Sequence, residues 1–89
     1  MIEISKEQAE ELRHAVLAYL AARHPAALPP RAILRTVEKD VGFRFDYEAL
    51  HSALEFLRGD GLAALTMDPL GSTPYWSSTT AGVRTWERL

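Results

Sequence analysis

The chain has 89 residues, is 47% hydrophobic and 25% charged, and sets ten Lys plus Arg against twelve Asp plus Glu for a net charge of −2. That length fills one core, so a single domain over residues 1–89 is expected. The composition excludes a disordered tail, the absence of cysteine excludes disulfides, thiol nucleophiles and zinc knuckles, and no run reaches the roughly 20 apolar residues of a membrane span.

The opening MIEISKEQAEE is acidic and polar, unlike a secretory signal, so a cytoplasmic protein with no membrane partner is expected. In SKEQ, Ser5 and Gln8 form a capping box, which starts a helix over about 5–24. Ala9, Leu12, Val16, Tyr19 and Leu20 recur at helical spacing as its buried stripe, and Pro25 ends it after Arg23 and His24. A second helix spans about 30–41. Pro30 occupies its first turn, Ile33, Leu34, Val37 and Val41 share one arc, and Gly42 stops it. Arg31, Arg35 and Lys39 fall at i, i+4 and i+8 on the other side, the one basic stripe of the chain.

Asp46 caps a third helix over about 46–59, with Leu50, Leu54 and Leu57 inward, Ala53 and Tyr47 flanking, and Gly59 and Gly61 at its end. ALTMDPLGSTPYWSS reads as a β-hairpin over about 62–78, since Asp68-Pro69-Leu70-Gly71 matches a type I turn. Pro74 restricts pairing at the start of the returning strand, and Tyr75 and Trp76 face opposite ways. Thr79 or Thr80 caps a short helix over about 80–88, in which Val83 and Trp86 share a side. The expected core is Leu12, Val16, Leu20, Ile33, Val37, Leu50, Leu54, Leu57, Leu62 and Trp86; Phe56 lies off the main face of its helix and is expected under the hairpin.

Three helices, a hairpin and a closing helix form a mainly helical α+β fold that resembles a winged helix-turn-helix domain. The spacing Leu50-x-x-x-Leu54-x-x-Leu57-x-x-x-Gly61-Leu62 resembles the recognition-helix signature of bacterial winged-helix regulators, and Thr79-Thr80-Ala81-Gly82 resembles their entry to the final helix. The match covers nearly the whole chain. It implies a small transcriptional regulator that binds double-stranded DNA through its second and third helices. Winged-helix domains also bind RNA and proteins, so fold alone does not choose.

The residues named for nucleic-acid contact are Arg31, Arg35, Lys39, Arg44, Tyr47, His51 and Ser52. The outward positions of the third helix are Glu48, His51, Ser52 and Glu55, whereas direct base readout favours Arg, Lys, Asn and Gln. No Lys or Arg lies between Leu62 and Val83, so the hairpin supplies no electrostatic steering. The alternative is therefore a winged-helix interaction module or assembly subunit that leaves DNA alone. In AVLAYLAA, residues 15–22, Leu17 points away from the buried stripe with Ala18 and Ala21 nearby. This face either seats a protein partner, such as a second copy in a homodimer, or is covered by the final helix through Val83 and Trp86.

No enzyme is expected, and no cofactor or metal. The pairs Glu11–His14 and Glu48–His51 have the spacing used in di-iron bundles, but fall on polar faces and read as ordinary i, i+3 neighbours. GDGL lacks the Lys and Ser/Thr of a phosphate loop, and the serines carry no nucleophile signature.

Overall fold

Side-chain caps mark the starts of three of the four helices, and a proline pair opens the other. The computed structural model describes residues 2–89, in the order α1 (Lys6–Ala22), α2 (Pro30–Val41), α3 (Tyr47–Gly59), β1 (Ala63–Met67), β2 (Pro74–Ser78) and α4 (Thr80–Arg88). The Ser5 hydroxyl accepts from the Gln8 N–H at 3.1 Å, and the Gln8 side chain accepts from the Ser5 N–H at 2.9 Å. Asp46 accepts from the Ala49 N–H at 3.0 Å, and Thr79 from the Gly82 N–H at 3.0 Å. Thr79, not Thr80, is the cap of α4. α1 stops at Ala22, two residues before the expected end, because Arg23 and His24 donate to Leu20 and Ala21 in a tightened last turn.

β1 and β2 pair antiparallel from Ala63↔Ser78 to Met67↔Pro74. The turn closes with Gly71 N–H donating to the Asp68 carbonyl at 3.2 Å and Leu70 N–H to the Asp68 side chain at 3.0 Å. Leu28, between α1 and α2, forms an isolated antiparallel bridge to Trp76, which ties that connector to the hairpin. α1 lies across α2, α3 and α4. This is the mainly helical α+β winged arrangement that the order of elements predicts.

The core departs from expectation at particular residues. Leu12, Val16, Leu20, Ile33, Val37, Leu50, Leu54 and Leu57 are buried, and Phe45, Ala53, Ala63 and Leu17 join them. Leu62 is only partly buried at the edge of this cluster. Trp86 is not a core residue: it is 38% exposed, because Ala15 and Ala18 opposite it are too small to cover the ring. The buried indole is that of Trp76, at 2%. Tyr47 and Phe56 are each half-exposed; the hairpin does not cover Phe56, and the Arg13 guanidinium lies over its ring at 4.1 Å instead.

Gly82 sets how closely α4 approaches the rest. A Cβ there would overlap the Leu62 carbonyl oxygen, so only glycine lets the first turn of α4 sit on the α3–β1 junction. Thr79 donates from its hydroxyl to the Gly61 carbonyl at 2.7 Å, fastening the same junction. With α4 held there, Leu17 of α1 is left 3% exposed, beside Leu57, Leu62, the α4 residue Thr85 and the terminal Leu89.

Candidate functional site

The face that the helix-turn-helix presents is built from α2, its turn and α3. Pro30 opens α2, where a missing N–H costs nothing. Ile33 and Val37 are buried beneath it, which turns Arg31, Arg35 and Lys39 to solvent. Gly42 ends the helix at φ 73°. In the turn, Phe43 and Phe45 meet edge to face at 6.1 Å; Phe45 is buried, and Arg44 between them is exposed.

Asp46 starts α3 and carries a second bond: the Ile2 N–H donates to its other carboxylate oxygen at 3.4 Å. The Ala49 N–H first, and the Ile2 N–H second, favour the ionised form and hold this carboxyl below its ordinary pKa. The segment before α1 is thus tied to the start of α3.

With Leu50, Ala53, Leu54 and Leu57 inward, the outer face of α3 is Glu48, His51, Ser52, Glu55 and Arg58, all exposed. Glu55 and Arg58 pair at 3.3 Å, the one ion pair among the described residues. Both partners are well exposed, so this pair contributes little to stability. Its consequence is electrostatic: Glu55 is partly compensated and Glu48 is not.

The structure sorts the predicted contact residues into separate groups. Tyr47 and His51 come together on the hairpin side, where with Pro30, Leu65, Pro74 and Trp76 they line a mostly apolar cavity of about 210 Å³. The His51 ring stands edge-on to Trp76 at 6.5 Å. Ser52 faces away from that cavity, into a shallow depression with Glu48, Asp46, Ile2 and Glu3. Arg31, Arg35, Lys39 and Arg44 remain on α2 and its turn. The wing tip carries no cation; Met67 and Leu70 are exposed there, Leu70 at 98%. Leu70 was legible as the third residue of the type I turn, a position that points to water.

The proposed partner seam on α1 needs correction. Leu17 is buried within the chain, so it cannot anchor a second copy, and α4 covers it. Ala18 and Ala21 are half-buried, and Ala18 lies beside Trp86. Among the described residues no group of three or more His, Asp or Glu side chains is placed to hold a metal ion. No helix among them is long and apolar enough to cross a membrane.

No family model matches the chain, and none of the curated proteins does. Solved structures do match. A MarR-family transcriptional regulator from Silicibacter pomeroyi superposes with a TM-score of 0.72 at 23% identity, over 88% of this chain and 47% of that one. The Staphylococcus aureus MepR–DNA complex gives 0.68 at 20% identity, over 96% of this chain and 60% of that one. A transcriptional regulator from Clostridium thermocellum gives 0.72 at 15% identity, over 97% and 84%. The chain thus spans about half the length of the first of these proteins. The likeness is one of fold: this chain is a winged helix-turn-helix of the kind found in these regulators.

Proposed function

We propose that this chain binds duplex DNA as the reading domain of a transcriptional regulator, with α2 and the α2–α3 turn on phosphates and α3 on base edges. The observation that carries the reading is the state of its cations. Arg13 and Arg23 are stacked over Phe56 and Tyr19, and Arg58 is paired with Glu55. Arg31, Arg35, Lys39 and Arg44 are exposed and engage no carboxylate or ring among the described residues; Lys6, Arg84 and Arg88 share that state, but only these four gather along the helix-turn-helix. Free guanidinium and ammonium groups along this motif suit phosphate oxygens.

MepR, a protein of the same fold, has been captured with DNA. On α3, Ser52 and His51 can donate to base edges, and a carboxylate such as Glu48 can accept from a cytosine amino group. Four phosphate contacts correspond to a salt slope of about −3 to −4, shallower than in regulators with more contacts.

A second reading, a protein-interaction module, is favoured by one specific observation: the outward face of α3 carries Glu48 and Glu55, and the wing has no cation to offset them.

Fluorescence anisotropy against mixed-sequence duplexes at about 50 mM salt separates the two, since phosphate contacts are strongest at low salt. The DNA reading expects association that weakens with salt and that Arg35→Glu with Lys39→Glu removes. Absence of association under those conditions overturns it in favour of the protein module.

A further inference from the structure

A groove of about 530 Å³ runs between the first half of α1, the end of α2 and α4. Glu7, Glu10 and Glu11 on α1 and Asp40 on α2 stand on its walls with His14. Ala15, Ala18 and Val41 line it lower down, and the Trp86 indole from α4 lies along it, 38% exposed. The DNA reading uses none of these residues.

We propose that this groove binds a basic peptide segment of a partner protein, with an arginine or lysine side chain laid on the Trp86 indole between the carboxylates. Carboxylates alone would mark only a solvated helix face. Here α1 and α2 bring them around an exposed aromatic ring carried by α4, and an indole face attracts a cation through its quadrupole. No Lys or Arg lines the groove, and none of its carboxylates takes part in an ion pair among the described residues. The negative charge of this surface therefore has no internal partner.

The chemistry of the occupant follows by elimination. A metal ion does not fit, because no three of these side chains are placed to share one. A nucleic acid is repelled by the carboxylates. A lone small cation would engage the carboxylates but leave the Trp86 face and the Ala15, Ala18 and Val41 floor uncovered. Glu7 lies about one turn before the neighbouring Glu10 and Glu11 on α1, and Asp40 adds a carboxylate from across the groove. That spread matches several cations carried on one peptide. The alanines permit close approach of its backbone, and a planar guanidinium both stacks on indole and bridges carboxylates.

The test is anisotropy of a short fluorescein-labelled peptide of alternating arginine and leucine against the full chain at low salt. Saturable binding is expected, weakened at least about tenfold by Trp86→Ala and by Glu7→Lys with Glu11→Lys. Circular dichroism establishes that each variant is folded. Should Trp86→Ala not fold, Trp86→Leu keeps the apolar bulk, removes the π face and is expected to weaken binding at least about threefold. Three results would overturn the proposal: no binding at peptide concentrations up to about 1 mM, tryptophan variants within twofold of wild type, or equal weakening by Glu55→Lys, which lies outside the groove and reports only overall charge.

Discussion

Leu28 and Trp76 exchange two backbone hydrogen bonds, each 2.8 Å long, across the bridge that joins the α1–α2 connector to the hairpin. That pair fixes the wing against the three-helix core and holds the Trp76 ring inside it. It also places Pro30, two residues on, at the cavity shared by Tyr47 and His51.

Two tryptophans, equal in the sequence, should therefore differ in energy. Trp76→Ala should cost about 3–5 kcal/mol through the cavity it leaves, and Leu54→Ala about 2–5 kcal/mol. Trp86→Ala should cost about 1 kcal/mol or less, because the ring is partly in water already. Urea titrations of the three variants check this. Equal losses at Trp76 and Trp86 would contradict the burial described above.

Glycine positions give a second contrast. Gly82→Ala should destabilise by about 1–3 kcal/mol, since the new methyl meets the rigid Leu62 carbonyl and α4 must shift. Gly59→Ala has nothing near its new methyl and should be neutral or stabilising by up to about 1 kcal/mol. Thermal melts distinguish the two signs.

Acid should weaken the start of α3. Hydrogen bonds from the Ala49 and Ile2 N–H groups lower the Asp46 pKa in the folded chain. A depressed carboxyl contributes stability above its unfolded pKa, and loses it as pH falls through the folded value. Asp46→Asn keeps a capping oxygen but cannot titrate. The stability difference between wild type and this variant should shrink as the pH is taken below the ordinary carboxylate range. A difference that stays constant across that range would exclude the carboxylate charge as its cause.

Removing one acid from α3 should help duplex binding if α3 faces DNA. Glu55→Ala takes a negative charge from the outer face and frees Arg58 for phosphate. Tighter binding at low salt is expected, with a salt slope steeper by up to about one. Unchanged affinity in the anisotropy titration would place this turn of α3 away from the duplex.

Much of the architecture was legible from local chemistry. The capping groups of Ser5, Asp46 and Thr79 act within three residues of themselves, and Asp68-Pro69-Leu70-Gly71 closes its own turn, so neighbours in sequence suffice to place them. The phase of Leu50, Leu54 and Leu57 likewise follows from helical periodicity, and with it the outward position of Glu48 and Glu55. The free cations of α2 were visible as a stripe for the same reason.

Tertiary structure decided what covers each apolar face. Periodicity shows that Leu17 and Trp86 are apolar and off the main stripe, but burial depends on which side chains stand opposite. The close seat of Gly82 on Leu62 brings α4 over Leu17, while the small Ala15 and Ala18 leave Trp86 in the acidic groove. Ser52 parts from His51 because neighbouring helical positions point about 100° apart, and only the placement of the wing and of the segment before α1 gives those directions different surroundings. Helix spacing and capping are short-range and written in the sequence; the partner of each surface is long-range and set by packing.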